Sequence, residues 1–323
     1  MAGSLKLNTI TMEQKEKGFI PVMLTPFKDN GEIDYDVLTK LTETYLQAGA
    51  KGLFANCLSS EMFELSDNER LQLIKHVIKI VNGAVPVVAT GTFGGPIAQQ
   101  AEFVKKVSDT GTNAVIVITG LLADEKEADA IFDERVFQLF DLTGNIPLGF
   151  YECPVPYKRV LSPQQLIRFV DSGRVIYHKD TCLDIEQVKE KLKAGNHHPE
   201  FGLYDAYMGH AVDTLRAGSA GLSCIQGNYF PELIVWLCDN YANQHLQQEV
   251  GLVQQFLIDN MDVMHNVYPI VAKYYLNKRG LNISTFTRRN VGTFTNAIQT
   301  KIDGLYTDYA NLQSQIGIEV QVY

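Results

Sequence analysis

From residue 18 onward, short runs of apolar and β-branched residues alternate with longer segments whose apolar positions recur at helical spacing, the pattern of repeated strand–helix units. Eight runs have strand character: 18–27, 51–56, 85–91, 114–119, 146–152, 175–179, 201–205 and 220–225. Residues 115–118 are continuously apolar rather than alternating, as expected of a parallel strand covered on both faces. Between the runs, helical spacing predicts helices over 35–47, 66–81, 96–109, 130–142, 162–171, 185–194 and 209–216. Ser66 stands three residues before Glu69, as in a capping box, and Ser162-Pro163 places proline at a first helical position.

Eight strand–helix units close a parallel barrel, so the expected fold is α/β, a (β/α)8 TIM barrel over 18–230. Residues 1–17 are read as an N-terminal segment. Residues 231–323 are read as a C-terminal helical extension, helical mainly over 231–276 and again near 294–313. No low-complexity linker sets the extension apart, so it is expected to fold as part of the same unit. The apolar face around Leu233 and Leu237 could bury against the barrel or against another subunit.

Composition narrows the function classes. Of 323 residues, 46% are hydrophobic and 20% charged, which suits a large buried core. A formal charge of −9 leaves no basic footprint for nucleic acid or an anionic membrane. The opening residues lack an apolar signal core, and no run reaches the roughly 18 apolar residues of a membrane span. A soluble, cytoplasmic protein is expected. Cys57, Cys153, Cys182, Cys224 and Cys238 are odd in number and form no CxxC pair, so free thiols are expected rather than disulfides or a zinc ribbon. Four lie near strand ends, which keeps a metal site as an alternative.

In such a barrel the reacting groups sit at the C-terminal ends of strands. The sixth run ends Val175-Ile176-Tyr177-His178-Lys179-Asp180, and a lysine closing an apolar strand is unusual. Alternation puts Tyr177, Lys179 and Thr181 on one face and His178 and Asp180 on the other. If the first set points inward, Lys179 lies in the barrel mouth, where desolvation favours the neutral amine that attacks carbonyls. The alternative is a lysine paired with a carboxylate at the rim.

The fifth run ends Tyr151-Glu152-Cys153-Pro154, and the second leads into Cys57-Leu58-Ser59-Ser60-Glu61. Together with Leu24-Thr25-Pro26-Phe27 on the first run, Leu65-Ser66 before Glu69-Arg70, and Lys179-Asp180-Thr181, these segments resemble the dihydrodipicolinate synthase and N-acetylneuraminate lyase superfamily of class I pyruvate-type aldolases. The order and spacing of the set are more specific than any single motif.

The resemblance implies a Schiff-base lyase acting on a 2-keto acid such as a 3-deoxy-2-keto sugar acid. Lys179 forms the imine and Tyr151 shuttles protons. Ser59 and Ser60 hold the substrate carboxylate through hydroxyl and backbone N–H donors. Ser223 falls where the family presents a backbone carbonyl toward the pyruvyl group. Neither metal nor organic cofactor is implied, the partner is a small-molecule 2-keto acid, and a homo-oligomer, dimer or tetramer, is expected. Read without the family, Tyr151 could be a packed core residue and Ser59-Ser60 a loop with local capping bonds.

Departures from the family pattern bear on the substrate. Leu58 stands where a threonine or serine usually relays protons to the tyrosine. Thr119-Gly120-Leu121-Leu122 lacks the tyrosine that crosses between subunits. Val155-Pro156-Tyr157 replaces the segment holding the synthases' arginine, with Lys158 and Arg159 the next basic residues. A lysine-biosynthesis synthase is therefore disfavoured, and the second half of the substrate is expected to be less polar than usual or bound by other loops. A dehydratase, a hydratase-aldolase and a non-catalytic keto-acid-binding barrel remain alternatives. A metal-assisted aldolase using cysteine and histidine is the least expected, since His178, His197 and His198 read as packing or surface residues.

Overall fold

The structure is a computed structural model and describes residues 17–318. The expected N-terminal segment, Lys17 apart, and residues 319–323 of the extension lie outside the described residues. The eight runs become strands β1 (Gly18–Phe19), β2 (Leu53–Asn56), β3 (Val87–Thr90), β4 (Ala114–Ile118), β5 (Leu148–Tyr151), β6 (Val175–Asp180), β7 (Gly202–Asp205) and β8 (Gly221–Leu222). All seven ladders are parallel, in the order β1-β8-β7-β6-β5-β4-β3-β2.

The ring closes just beyond β1, where Val22 bridges Phe54 in parallel and Phe54 N donates to Pro21 O at 3.0 Å. The first run was expected over ten residues and forms two, because Pro21 and Pro26 have no N–H to give a ladder. At the β1–β8 seam Gly221 has φ 153°, and a Cβ there would lie 1.6 Å from the Gly18 carbonyl oxygen. Only glycine lets the strands approach so closely.

Seven helices cover the barrel: α1 (Tyr35–Gln47), α2 (Asp67–Val81), α3 (Ile97–Ser108), α4 (Asp129–Thr143), α5 (Pro163–Asp171), α6 (Ile185–Gly195) and α7 (Ala211–Arg216). Their starts are chemically marked. Ser66 with Glu69 and Ser162 with Gln165 form capping boxes, while Asp34 and Asp184 cap α1 and α6.

Alternation sorts the strand residues into two cores. Ile20, Val22, Phe54, Ile116, Ile118, Tyr151 and Tyr177 fill the interior of the barrel. Val115, Val117, Phe150 and Leu203 pack outward beneath the helices. Tyr177 therefore fixes the inward face of β6, the face that also carries Lys179.

Five further helices follow: α8 (Pro231–Asn240), α9 (Gln247–Asp259), α10 (Met261–His265), α11 (Ile270–Lys278) and α12 (Asn296–Ile316). Leu233, Ile234 and Leu237 are fully buried in one cluster with Phe19 of β1, Leu38 and Leu41 of α1, Tyr275 and Leu305. The apolar face of α8 is thus covered within the chain. Among the described residues no helix is long and apolar enough to cross a membrane.

Candidate active site

Lys179 and Tyr151 are register partners on the adjacent strands β6 and β5. Lys179 is 3% exposed, and its ammonium nitrogen lies 4.4 Å from the centre of the Tyr151 ring and 6.0 Å from that of Phe54. Among the described residues it makes no ion pair, so the rim salt bridge is not what the structure contains. Burial lowers its pKa, opposed only by the nearby thiols of Cys57, Cys153 and Cys224. All three thiols are buried, and burial pushes that of Cys153 up to about 11 and that of Cys224 up to about 12.

Burial likewise drives the Tyr151 phenol well above its usual pKa, and its hydroxyl is hydrogen-bonded to Cys153. A neutral phenol thus stands beside an amine that favours its neutral form. Thr181, on the same face, donates from Oγ1 to the Glu152 carbonyl at 2.5 Å and lines the cavity above Lys179.

The loop after β2 forms a single 3-10 turn, Leu58–Ser60. Leu58 and Ser59 line the cavity, and Ser59 is hydrogen-bonded to the phenol of Tyr268. Tyr268 in turn accepts from Asn228 Nδ2 at 2.6 Å.

Ser60, expected beside Ser59 as a carboxylate ligand, is turned away. Its hydroxyl donates to Met23 O at 2.7 Å and accepts from Cys57 N at 3.0 Å, and its own N–H donates to Cys57 O at 3.0 Å. The residue closes the turn and has nothing left for a ligand. Ser223 donates to Ile20 O at 2.8 Å and accepts from Tyr177 at 3.2 Å, so its hydroxyl too is spent inside the barrel.

The outward faces of the same strands carry a buried charge cluster. Lys191 of α6 lies 2.6 Å from both Glu152 and Asp180, with His178 Nε2 at 3.4 and 3.5 Å from these carboxylates, all four side chains fully buried. Glu152, His178 and Asp180 have the spacing of metal ligands. The Lys191 ammonium already fills the place of a cation there. Asp171, which ends α5, and His197 and His198, which follow α6, form a second such group, largely exposed and at the opposite end of the barrel. Glu152 and Asp171 meet these histidines from neighbouring elements, although they are distant in sequence.

The cavity above Lys179 holds about 310 Å³. Besides the residues already named it is lined by Lys158, His265, Tyr268 and Arg289. Lys158 was visible in the sequence, but the other three come from the extension, where helical spacing signalled only packing. Arg159 does not reach it, being tied to Asp129 at 2.8 Å and to the carbonyls of Asp124 and Glu127.

Glu61 brings the extension to the site. Buried, at φ 57° after the 3-10 turn, it accepts from Lys273 Nζ at 3.0 Å, Arg288 N at 2.7 Å and Arg289 N at 2.9 Å. A larger hollow of about 570 Å³, lined by Gly94, Gly120, Arg135 and Tyr157, lies at the loops after β3 and β4, away from Lys179 and Tyr151.

The model of the "Dihydrodipicolinate synthetase family" matches residues 15–308. A 4-hydroxy-tetrahydrodipicolinate synthase of Saccharophagus degradans is 26% identical over 269 residues, covering 82% of this chain and 89% of the relative. One from Bacillus subtilis is 24% identical, covering 81% and 89%. Among solved structures, YagE of E. coli K12, a prophage protein of the dihydrodipicolinic acid synthase family in complex with pyruvate, superposes with a TM-score of 0.79 at 22% identity over 92% of this chain and 98% of its own. A monomeric dihydrodipicolinate synthase variant gives 0.82 at 20% identity over 93% and 99%.

Proposed function

The chain belongs to the dihydrodipicolinate synthetase family, and from that premise we propose that it is a class I lyase that cleaves or forms a pyruvate aldol through an imine on Lys179. The observation that carries the reading is the unpaired, desolvated Lys179 amine over the Tyr151 ring. The neutral amine adds to the keto carbon of the substrate. Tyr151, held protonated by burial, gives its proton to the carbinolamine oxygen, which leaves as water and yields the iminium. The phenolate so formed is costly in this setting and hence a strong base. It takes the proton of the C4 hydroxyl as the C3–C4 bond breaks, with the electron pair drawn into the iminium to give an enamine. Protonation at C3 and hydrolysis release pyruvate and an aldehyde.

Ser59, with backbone N–H groups of its turn, is assigned the pyruvyl carboxylate, and the carbonyl of Ser223 is assigned to face the pyruvyl group. Ser60 is assigned to shaping the turn. Cys153, rather than a threonine, is the hydrogen-bond partner of the phenol, since Leu58 has no hydroxyl. Loss of water from a 3-deoxy-2-keto acid would use the same iminium and enamine. The curated relatives' names favour synthase activity as a second reading, whereas Leu58 and Pro156 stand against it. We further propose a homo-oligomer, which light scattering would measure.

Incubation with pyruvate and borohydride, read by intact mass, should leave one reduced adduct on the chain and none on Lys179→Ala. An adduct that survives the substitution sinks the assignment. A panel of 3-deoxy-2-keto sugar acids, with aspartate semialdehyde plus pyruvate alongside, then separates lyase, dehydratase and synthase by their products.

A further inference from the structure

The cavity above Lys179 is bordered by four basic residues, Lys158, Lys179, His265 and Arg289, and by no aspartate or glutamate. That is an unusual lining in a chain of net charge −9. One carboxylate, that of the pyruvyl group, does not account for so many basic groups around one cavity.

Arg288 and Arg289 differ in how they are used. The guanidinium of Arg288 is locked to Glu69 at 2.6 and 3.0 Å and to the carbonyls of Gly31 and Glu64. That of Arg289 has no hydrogen bond or ion pair among the described residues and borders the cavity. Its charge acts on the carboxyl of Glu64, which stands outside the lining and whose Oε2 makes no hydrogen bond.

Lys158 spends one of its three donors on Thr181 O at 2.8 Å and keeps two. His265 lines the cavity and donates from Nδ1 to Met261 O at 2.7 Å, so its Nε2 can donate to an anion only in the imidazolium form. Both backbone N–H groups of the Arg288-Arg289 strap are clamped by Glu61, so this arrangement is built into the fold.

We propose that Arg289, Lys158 and His265 form a second anion subsite, which takes a carboxylate or phosphate at the far end of a dianionic 2-keto acid whose keto group meets Lys179. The proposal rests on the imine reading above and narrows it: the aldehyde half of the aldol carries its own negative group. Arg289 supplies planar bidentate donors and Lys158 a mobile point charge. The subsite uses residues other than the arginine missing at Pro156, and it selects the other-loops alternative over a less polar substrate.

The test is calorimetric binding to the full chain of 2-oxoglutarate, 2-oxoadipate and a phosphonate-ended 2-keto acid, each against its terminal amide. The readout is the ratio of affinities within each pair, for the unaltered chain and for Arg289→Met and Lys158→Met. At least one charged end should be preferred by about tenfold, with the ratio falling toward one in Arg289→Met and dropping severalfold in Lys158→Met. Preference for the carboxylate or for the phosphonate supports the subsite and names its anion. Equal binding of every pair by the unaltered chain overturns it, as does a ratio that persists in both variants. If Arg289→Met does not fold, Lys158→Met decides. Because binding is read without trapping, absence of a pyruvate–borohydride adduct would reject the imine and leave the subsite judged on its own ratios.

Discussion

Lys179 is placed where its charged form is least welcome. Desolvation lowers its pKa, so the folded chain binds fewer protons there than the unfolded chain between the lowered value and the ordinary 10.5, and stability rises with pH across that interval. The rate of imine formation with pyruvate, followed by stopped-flow or cyanoborohydride trapping, should rise with pH to a plateau whose midpoint lies below 10.5. Replacement by methionine, which keeps the length without the amine, is expected to abolish the adduct and raise the urea midpoint of unfolding at pH 7. Tyr151→Phe keeps the ring beneath the amine and removes the phenol proton. It should lower kcat by about 10²–10⁴-fold in a pyruvate-release assay while the melting temperature changes little.

Lys179 was legible because period-two alternation fixes which side chains of a strand enter the barrel, and Tyr177 confirms the phase on β6, whereas Tyr151 was singled out by the family resemblance. Ser60 was misread for a local reason. Its place in a motif does not reveal that three backbone groups, Cys57 N, Ala55 O on β2 and Met23 O after β1, consume the hydroxyl.

At the scale of elements, β5 and β6 present chemistry inward and an ionic lock outward. Lys191 of α6 joins the residues that directly follow Tyr151 and Lys179, Glu152 and Asp180. Lys191→Met should leave two buried carboxylates uncompensated and cost about 3–5 kcal/mol in denaturant unfolding. Burial alone would deprotonate His178, but the carboxylates of Asp180 and Glu152 outweigh it and push its pKa above the usual value. The stability this contributes is fully present below the unfolded histidine pKa and is lost as pH rises through the folded one. His178→Gln should flatten that alkaline slope. The cluster escaped the sequence reading because Glu152, His178 and Lys191 are isolated polar residues on separate elements, and only strand register and helix packing unite them.

Glu69 joins two elements more visibly. It completes the α2 capping box and grips Arg288, whose hydrogen bonds chiefly hold its carboxyl at about 2. Its contribution is present above the unfolded glutamate pKa and disappears as pH falls through about 2, so Arg288 mutants should lose part of the native protein's acid dependence.

For the molecule as a whole, the barrel was legible because eight apolar runs and their intervening helices repeat a unit that has few ways to close. The two-residue strands β1 and β8 were not, since proline and glycine at the seam set where the ladder ends. Gly221→Ala forces a Cβ onto the Gly18 carbonyl and should destabilise the fold by about 3 kcal/mol, seen as a lowered melting temperature. The extension was read as helical packing, which α8, α9, α11 and α12 fulfil. Its contribution to the cavity was hidden, because Tyr268, His265 and Arg289 fall at helix ends and in a strap with no period to read.

Glu61 gives that arrangement a further meaning. One carboxylate ends the turn that carries Ser59 and also fastens the strap that carries Arg289. The barrel can therefore keep its amine and phenol unchanged while the side chain at 289 is exchanged, because that residue is anchored through its backbone N–H, which is indifferent to side-chain identity. Descent with altered appetite, in nature or in the laboratory, then needs an exchanged side chain rather than a new enzyme.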